Sequence, residues 1–377
     1  MAEARCIAPL PDLKISKTTR VDLKEIRNKI DAVDDELLTL LNKRMELVRE
    51  VGVLKRAEKS VIYRPEREQE ILRRLEQQND GLLNKSAIEA IFLEIFAVSR
   101  NLELPERIAF LGPEGSFTHQ AAESRFGGMS EYLMLPTIRS VFDSVETGRA
   151  AFGVVPVENN QEGIVPETVD LLREKELLIA AELYLSIHFT LVSKADSIRD
   201  IKTIYSKDIA FRQCSIFLRE YFDENEVEFV PVDSTSKAAR LAAGEPASAA
   251  ICSSISAKLF KIPVLFDNIE NSDQNRTRFL ILGKDFKNQP TDHDKTTIIA
   301  NLPHTNTPGV LFRFLKDFND QGINLTKIES RPSRNGSDFG FWFFVEFEGN
   351  RHDPVIEQIM KKHEGDLKWL GSYIRMG

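Results

Sequence analysis

The stretch Val21–Lys55 constrains the fold of this chain more than any other segment. Its apolar residues recur at spacings of three and four, the period of one helix face, and no proline or glycine interrupts them before Gly52. At 1.5 Å per residue the helix is about 50 Å long, more than a small lone domain can cover. A second apolar stripe lies beside the first, so we expect two buried faces, with the same helix of a second copy as one packing partner. The stripes comprise Leu23, Ile26, Ile30, Val33, Leu37, Leu40, Leu47, Val51 and Leu54, and Leu38, Leu41, Met45 and Val48.

Arg44 interrupts the first apolar stripe. Arg44 and Lys55 are eleven residues apart, about 20° on the helix surface, whereas Arg27 points about 100° away from Arg44. A cation at a core-facing position is costly unless a negative group meets it. Two interpretations stay open, namely a buried ion pair with an acid such as Asp34 or Glu46, and a pocket for a small polyanion.

The composition excludes several classes of protein. The 377 residues suffice for two or three domains, and no run approaches the apolar length of a membrane span. Three cysteines without a C-x-x-C pair indicate a reducing, cytoplasmic location, and we expect no metal and no cofactor. A net charge of −8 without a basic block argues against a nucleic-acid partner. Residues 1–20 lack the apolar region of a secretory signal and are interpreted as a flexible tail.

Two more helices complete a first module over residues 21–104. Pro65 suits the first turn of one helix, and apolar spacing predicts the next from about Lys85 to Leu102. The stripe of the latter continues into Ser99 and Glu103, four residues apart. Polar residues at the end of a core stripe either reach the surface or line a site, and both interpretations stay open.

The charged residues of this module, taken in order, resemble those of the all-helical chorismate mutases over about Val21–Glu103. Members of that family catalyse the pericyclic rearrangement of chorismate to prephenate. The resemblance therefore implies a cluster of cations around a dicarboxylate substrate, and a reaction that needs neither a nucleophile nor a metal. It also implies that Arg27 serves the site of a partner chain. The matching residues are Arg27, Arg44, Lys55, Arg67, Glu68, Ser99 and Glu103.

The same resemblance implies a role for most of these side chains. Lys55 and Glu103 face the ether oxygen, which gains negative charge in the transition state, and Glu68 takes the substrate hydroxyl. This chain departs from some members at Arg64, where they carry an acid, and at Glu103, where they carry glutamine. The cations expected to hold the carboxylates are Arg27, Arg44 and Arg67.

The hydrophobic period changes to two after the linker Leu104–Glu106. The strand Arg107–Leu111 leads through a glycine turn into a helix, a corner that favours anions because free helix N–H groups point outward. The strand Phe152–Val157 ends in polar residues, where open α/β sheets keep their ligands. Strands and helices then alternate through a second lobe, and the chain returns to the first lobe at Leu280–Leu282.

Three motifs in this region resemble those of prephenate dehydratases over about Arg107–Lys284. They are Phe110–Phe117 (FLGPEGSF), Val155–Asn159 (VPVEN) and Thr277–Phe279 (TRF). The resemblance implies two α/β lobes with a cleft, similar to solute-binding proteins, and the loss of water and carbon dioxide from prephenate. It makes Thr277 the residue that assists the leaving hydroxyl. Without the other two motifs, we would interpret Thr277 as a residue at the start of a strand whose hydroxyl forms a hydrogen bond with the backbone.

The resemblance also implies a set of substrate-binding residues. Asn160 and Lys207 depart from the family pattern, which commonly has a small hydroxyl residue and a histidine at these positions. The substrate-binding residues are expected to be Ser116, Asn159, Ser206, Gln213, Arg278 and Phe279.

A polar linker, Asp285–Lys295, precedes a C-terminal module over residues 296–377. Its predicted order, βαββαβ, is ferredoxin-like. Two motifs, Pro308–Phe312 and Glu329–Pro332, resemble the ACT domain of phenylalanine-regulated dehydratases, in which they bind free phenylalanine at a dimer interface. A plain interface of a small α+β domain is the alternative. The implied ligand-binding residues are Gly309, Val310, Leu311, Glu329, Ser330, Arg331 and Pro332.

Taken together, the three resemblances match the bifunctional chorismate mutase–prephenate dehydratases. We therefore expect a multidomain fold with an all-α module (21–104), a two-lobed α/β module (105–284) and a ferredoxin-like α+β module (296–377). The expected function is two steps of phenylalanine biosynthesis with feedback inhibition, in a homodimer or higher homo-oligomer. Its ligands are chorismate, prephenate and L-phenylalanine. A non-catalytic amino-acid sensor, and a dehydratase whose weak mutase module is a dimer clamp, are the alternatives.

Overall fold

The computed structural model describes seven segments of the chain, residues 22–57, 63–103, 107–223, 225–286, 288–302, 307–333 and 340–375. The predicted N-terminal tail and the linker Leu104–Glu106 lie outside the described residues. The described segments form a helical module, a two-lobed α/β module and a C-terminal α+β module. This order confirms the predicted fold class.

Three helices make up the first module. They are α1 (Leu23–Ala57), α2 (Pro65–Gln78) and α3 (Lys85–Glu103). Pro65 occupies the first turn of α2, where its missing N–H costs no hydrogen bond. α1 lies close to α3 at Gly52, where an added Cβ would lie 3.3 Å from Cα of Glu103.

The apolar stripes of α1 are uncovered in the single chain. Every described residue before Arg44 is exposed, and Leu23 and Leu54 expose 61% and 65% of their surfaces. Contiguous exposed apolar area of this kind marks an interaction surface. The described part of one chain therefore leaves a long apolar helix face without packing.

The middle module has two lobes, each built on one sheet. The first lobe contains β1 (Arg107–Leu111), α4 (Phe117–Phe126), β2 (Glu131–Leu135), α5 (Ile138–Glu146), β3 (Phe152–Asn159), β4 (Gly163–Ile164), α6 (Pro166–Glu174) and β5 (Leu178–Ser186). The second lobe contains β6 (Thr190–Ser193), a 3₁₀ turn (Ile198–Asp200), β7 (Thr203–Ser206), α7 (Asp208–Gln213), α8 (Ser215–Tyr221), β8 (Glu228–Pro231), α9 (Thr235–Gly244), β9 (Ser248–Cys252), α10 (Ser254–Phe260) and β10 (Val264–Phe266).

The chain then returns to the first lobe through β11 (Arg276–Gly283), which lies between β3 and β5 and is antiparallel to both. The first sheet has the order β2-β1-β3-β11-β5, with β4 paired to β3, and the second has the order β10-β6-β9-β7-β8. The predicted return of the chain is thus confirmed, and it places residues 276–283 in the centre of the first sheet.

The C-terminal module has the predicted βαββαβ order. Its elements are β12 (Asp294–Ala300), α11 (Val310–Asn319), β13 (Leu325–Pro332), β14 (Phe341–Glu348), α12 (Pro354–Lys362) and β15 (Leu367–Ile374). The strands form an antiparallel sheet of order β13-β14-β12-β15, which leaves β13 at one edge.

The predicted linker Asp285–Lys295 is wrong at its C-terminal end. Asp294 and Lys295 belong to β12 and are buried. Their charges have partners, because Asp294 accepts a hydrogen bond of 2.6 Å from Asn350 Nδ2 and Lys295 Nζ donates one of 2.9 Å to Glu182. Two adjacent charged residues are typical of a linker when only the sequence is known. Here their partners in the tertiary structure allow both to be buried in a strand.

The first lobe and the C-terminal module share one hydrophobic core. Leu280 and Leu282 of β11 pack there with Phe344 of β14 and Tyr373 of β15. Successive strand residues point to opposite faces, so alternate residues of β11 enter a second core. That second core includes Tyr63 of the helical module. Each face of the first-lobe sheet therefore carries a neighbouring module.

Candidate functional sites

A cavity of about 560 Å³ is bounded by α1, α2 and α3. Its size suits a small molecule. Six basic and four acidic side chains line it, so its charge favours an anion. The predicted mutase residues that line it are Arg44, Lys55, Arg67, Glu68, Ser99 and Glu103.

The last turn of α3 contacts Arg44 and Lys55, the two cations of α1 that line the cavity. Arg44 Nη1 donates a 2.5 Å hydrogen bond to Ser99 Oγ, and Lys55 Nζ donates one of 2.8 Å to Glu103 Oε2. Burial lowers the pKa of Arg44, and the charge of Glu103 opposes this shift. The apolar stripe of α3 thus ends inside a site. The partner of Arg44 is a hydroxyl of α3, whereas the acids considered above, Asp34 and Glu46, lie on α1 itself.

Two predicted mutase cations lie away from this cluster. Arg27 is exposed on the N-terminal half of α1 and does not line the cavity. Arg67 lines the cavity, but its guanidinium forms a 2.6 Å ion pair with Glu70 that is more than half exposed. Exposed pairs of this kind contribute little stability, so Arg67 is available to a ligand.

Glu68 has partners that the sequence did not indicate. Its carboxylate is buried and forms ion pairs with Arg100 of α3 and with Arg125 of α4, the latter at 3.1 Å. Glu68 therefore has two arginine partners within the chain, and its role toward the substrate hydroxyl stays a prediction. Arg100 and Arg125 were missed, since no spacing pattern links them to Glu68.

The outer wall of the cavity comes from another module. Gln289 and Thr291, which precede β12, and Ile374 at the end of β15 line it together with Glu66. Burial raises the pKa of Glu66, and the charge of Arg64 and the N–H of Gln289 oppose the shift only in part. The helical module is therefore not the sole contributor to its own cavity.

Thr277 and Asn159 lie directly opposite each other on β11 and β3. Asn159 Nδ2 donates a 2.8 Å hydrogen bond to Thr277 Oγ1 and another of 2.8 Å to Asn275 Oδ1. The Asn159 Oδ1 accepts from the N–H groups of Gln161 and Glu162 at 2.9 and 3.0 Å. Asn159 thus fixes the threonine and the turn beyond β3 together.

Contacts between the lobes meet at the same end of the sheet. Gln213 Nε2 of the second lobe donates a 2.9 Å bond to Gln161 Oε1 of the first. The carbonyl of Gly115 accepts from Ser253 Oγ and Ser256 Oγ at 2.6 and 2.7 Å. Gly115 has φ +81°, and an added Cβ would lie 2.5 Å from Ser256 Oγ, so only glycine fits. The glycine turn and Gln213 therefore border one cleft.

Two predicted substrate-binding serines make structural hydrogen bonds. Ser116 caps α4, because its Oγ accepts from the N–H of His119 at 3.2 Å. Ser206 is fully buried, and its Oγ donates to the carbonyl of Ile251 at 2.8 Å. The expectation that Ser206 contacts substrate is corrected for this reason.

Arg278 and Phe279 do not face the cleft either. Phe279 is buried in the second core. Arg278 follows Thr277, so its side chain lies on the opposite face of the sheet, where it forms ion pairs with Glu346 and with Glu182 at 2.9 Å. Their predicted substrate-binding roles are corrected, since both side chains are enclosed by protein.

The charges behind Thr277 and Asn159 form a network with the C-terminal module. Arg278 lies opposite Glu158 in the register of β11 and β3. Glu158 in turn accepts a 2.6 Å bond from Lys327 of β13. Burial alone raises the pKa of Glu346, but the guanidinium of Arg278 outweighs it, and the net shift is downward. Two adjacent strands thus present polar residues to the cleft and charged residues to the neighbouring sheet.

The edge strand β13 carries the second predicted phenylalanine motif. Its residues alternate between half-buried and exposed. Arg331 points toward the first lobe, where its Nη2 contacts both oxygens of Asp170 at 3.1 and 3.0 Å. In the single chain the guanidinium of Arg331 thus binds a carboxylate of the first lobe, and its role toward a ligand stays a prediction. Ser330 and Pro332 lie on the exposed side of the strand, next to Glu329.

The first predicted phenylalanine motif lies at the start of α11. Gly309 has φ +82° and precedes Val310 and Leu311, the first two residues of the helix. An added Cβ would lie 3.0 Å from Arg313 Nη1 at the end of a flexible side chain, so it is the positive φ that favours glycine here. In one chain, this motif and the β13 motif belong to different elements of the module.

The described residues contain no helix that is long and apolar enough to cross a membrane. In the same segments, no group of three or more histidine, cysteine, aspartate or glutamate side chains could hold a metal ion.

Three family models match successive parts of the chain. Chorismate mutase type II matches residues 26–104, prephenate dehydratase residues 108–287 and the ACT domain residues 304–365. They follow the same order as the helical, two-lobed and C-terminal modules.

Whole proteins match as well. The bifunctional chorismate mutase/prephenate dehydratase of Aquifex aeolicus is 39% identical, over 93% of this chain and 98% of the relative. A solved prephenate dehydratase from Arthrobacter aurescens in complex with L-Phe is 29% identical, with a TM-score of 0.64 over 71% of this chain and 90% of that one. GqqA, described as a novel type of quorum quenching acylase, is 25% identical, with a TM-score of 0.65 over 72% of this chain and 98% of that one. One fold thus carries differently named activities, and the family follows from the full-length match. The chain belongs to the family of bifunctional chorismate mutase/prephenate dehydratases.

Proposed function

We propose that this protein rearranges chorismate to prephenate in the helical module and converts prephenate to phenylpyruvate in the two-lobed module. L-Phenylalanine inhibits the second step by binding to the C-terminal module. The observation that carries the proposal is the convergence of two separate constellations: Arg44 and Lys55 meet the end of α3 in one cavity, and Asn159 meets Thr277 at the cleft. Both lie where the family models match.

The mutase cavity acts by position and charge. Arg44 and Arg67 bind carboxylates of the dianionic substrate and favour its compact conformer. Lys55 donates to the ether oxygen as the carbon–oxygen bond breaks and negative charge grows there. The ammonium of Lys55 donates to Glu103, so substrate exchanges one oxygen partner of the ammonium for another.

The dehydratase cleft assists a fragmentation. The carbon–carbon bond to the departing carboxylate breaks, its electron pair makes the ring aromatic, and the ring hydroxyl leaves as water after gaining one proton. Asn159 donates to Thr277 Oγ1, so the threonine O–H itself stays free to donate to the leaving oxygen. The reaction therefore needs neither an oxidant nor a reductant.

A second copy of the chain completes the mutase site. Exposed apolar residues cover α1, and Arg27 lies on that surface, away from the cavity of its own chain. Packing of α1 against its copy buries this surface and brings Arg27 to the partner's cavity. The protein is thus a homodimer or higher homo-oligomer, and we place it in the cytoplasm.

The C-terminal module is the sensor. The open edge of β13 and the glycine-capped start of α11 carry the two motifs that serve phenylalanine at a dimer interface. Lys327 and Arg331 of the same strand bind Glu158 and Asp170 of the first lobe. A ligand that shifts β13 therefore acts on the strand that bears Asn159.

One assay with the purified full-length protein tests this function. Chorismate is supplied, and prephenate and phenylpyruvate are followed together with and without L-phenylalanine. We expect prephenate first, then phenylpyruvate, and a lower second rate when phenylalanine is present. Phenylalanine binding without turnover would identify a non-catalytic sensor. Turnover of added prephenate but not of chorismate would identify a dehydratase with an inactive mutase module.

A further inference from the structure

A buried charge cluster joins the helical module to the dehydratase module. Glu68 of α2 lies between Arg100 of α3 and Arg125 of α4, and all three side chains are at least 88% buried. Arg100 also donates from Nη2 to the carbonyl of Phe126 at 2.9 Å. Arg125 is thus a dehydratase-module residue that reaches a carboxylate at the mutase cavity.

Tyr63 also holds Arg125 in place. Its hydroxyl accepts a 2.6 Å hydrogen bond from Arg125 Nε, and the guanidinium carbons of Arg100 and Arg125 lie 5.8 and 5.3 Å from the centre of its ring. Burial raises the pKa of Tyr63 to about 12 against the opposing charge of Arg125, so the hydroxyl stays neutral. The ring packs on Phe126 and Phe152 of the dehydratase core at 5.2 and 5.0 Å. Arg125 therefore has a fixed side-chain position.

One oxygen of Glu68 is left without a hydrogen bond. Arg100 binds Oε1, whereas Oε2 lies 3.1 Å from Arg125 Nη2 without hydrogen-bond geometry. Among the described residues this buried Oε2 has no hydrogen-bond partner. Glu68 also lines the cavity, so the two ion pairs hold in place a carboxylate that borders the candidate ligand site.

We propose that Arg125 is a positioning residue for the mutase reaction, which orients the carboxylate of Glu68 for the hydroxyl of the substrate from within the dehydratase module. This inference rests on the proposed mutase function of the cavity. It explains why Glu68 can lie beside two arginines and still serve a ligand, since the ion pairs fix the orientation of the carboxylate. Fusion to the dehydratase module thus supplies part of the mutase site.

The geometry predicts that loss of Arg125 spares the dehydratase. Arg125 lies nine residues beyond the Ser116 cap of α4, about 14 Å along the helix from the cleft. It contacts neither Thr277 nor Asn159 in the described structure. Dehydratase activity of the same preparation therefore reports whether a variant is folded.

The test compares Arg125→Met, Glu68→Gln and the double variant in the full-length protein. Mutase kcat and KM are measured with chorismate, and dehydratase kcat/KM is measured separately with added prephenate. We expect Arg125→Met to lower mutase kcat by about 10- to 100-fold, the scale of a misplaced catalytic group. Dehydratase kcat/KM should stay within about twofold. In the Glu68→Gln background, Arg125→Met should have no further effect, since the group it positions is gone.

Arg107→Met is the control, because Arg107 is a dehydratase-module arginine whose partner is the exposed Glu131.

The outcomes separate the proposals. Unchanged mutase kcat in Arg125→Met, or equal losses in both backgrounds, would overturn the positioning role. Full mutase activity in Glu68→Gln would instead overturn the part that the proposed function gives to Glu68. If Arg125→Met loses both activities by unfolding, Tyr63→Phe removes only the hydroxyl that orients Arg125. A mutase loss with intact dehydratase then supports the inference, and wild-type mutase activity contradicts it.

Discussion

Arg278 and Glu346 form a two-point ion pair between the strand of Thr277 and the C-terminal sheet. The Nη1–Oε2 distance is 2.9 Å, and the two residues expose only 5% and 1% of their surfaces. Glu182 and Lys295 extend the pair into a buried network. Removal of one member of such a pair is costly, because it strands the other charge away from water.

Glu346→Gln should therefore lower the free energy of unfolding by about 3 kcal/mol. The two tryptophans, Trp342 and Trp369, both belong to the C-terminal module, so their fluorescence during urea denaturation reports on this region. Glu348→Gln is the matched control, since Glu348 lies two residues along β14 in an exposed pair with Arg375 and should cost less than about 1 kcal/mol. Equal small effects would show that the network contributes little.

Arg27→Ala and Arg44→Ala should each abolish mutase activity, because the proposed site takes Arg44 from one chain and Arg27 from its partner. When the two variants are mixed and exchange chains, activity should partly return, since a heterodimer keeps one intact site. Native mass spectrometry of variants of distinct mass verifies the exchange. Verified heterodimers without activity would refute a shared site.

Thr277→Ala should lower dehydratase activity by about 10²-fold or more, the scale for one positioned proton donor. Thr277→Ser keeps the hydroxyl that accepts from Asn159 and should retain most of the activity. Mutase activity, measured with chorismate, should not change in either variant. Parallel loss of both activities would indicate misfolding rather than a catalytic role.

Glu103→Gln should make mutase activity less sensitive to pH. Glutamine can donate to the ether oxygen at any ordinary pH, whereas the carboxyl donates only when it is protonated. Glu103 Oε2 accepts a 2.8 Å hydrogen bond from Lys55 Nζ. Mutase kcat/KM for chorismate is measured across pH in both proteins, and the variant should show the flatter profile. Superimposable profiles would place Glu103 outside the chemistry.

His119 should make the glycine turn of the dehydratase sensitive to acid. The N–H of Gly115 donates to His119 Nδ1 at 3.1 Å, which requires a neutral ring, and burial lowers the pKa of His119 below 6.5 against the charges of Glu123 and Glu114. Because the unfolded chain takes up the proton first, this contribution is complete above about pH 6.5 and is lost as pH falls through the lowered pKa. Dehydratase activity and thermal midpoint should therefore fall with acidity. His119→Gln, which accepts without titrating, should lessen the loss of both.

Helical spacing was the most informative part of the sequence for the mutase site. On a helix the direction of a side chain follows from its residue number, so Arg44 and Lys55 could be assigned to one side and Arg27 to another. The polar end of an apolar stripe singled out Ser99 and Glu103, and the resemblance to chorismate mutases implied that they line a site. The structure brings four of these five residues into one cavity.

Contacts between residues that are far apart in the sequence could not be predicted from spacing. Arg278 was grouped with Thr277 because both belong to one motif, although adjacent strand residues face opposite sides and the alternation was visible. Glu346, which binds Arg278 on that opposite side of the sheet, lies 68 residues away in another module. Arg125 and Tyr63 are 62 residues apart, and no period within a single sequence pairs such positions.

The hydrophobic core that β11 shares with β14 and β15 means that the C-terminal sheet covers one face of the dehydratase sheet. A chain that ended after Lys284 would expose Leu280 and Leu282 to water and leave Arg278 and Glu182 without Glu346 and Lys295. Such a fragment would aggregate or unfold before its regulation could be measured. A functional single-activity enzyme derived from this chain would need polar replacements on the uncovered face, so the sensor cannot be lost by a simple deletion.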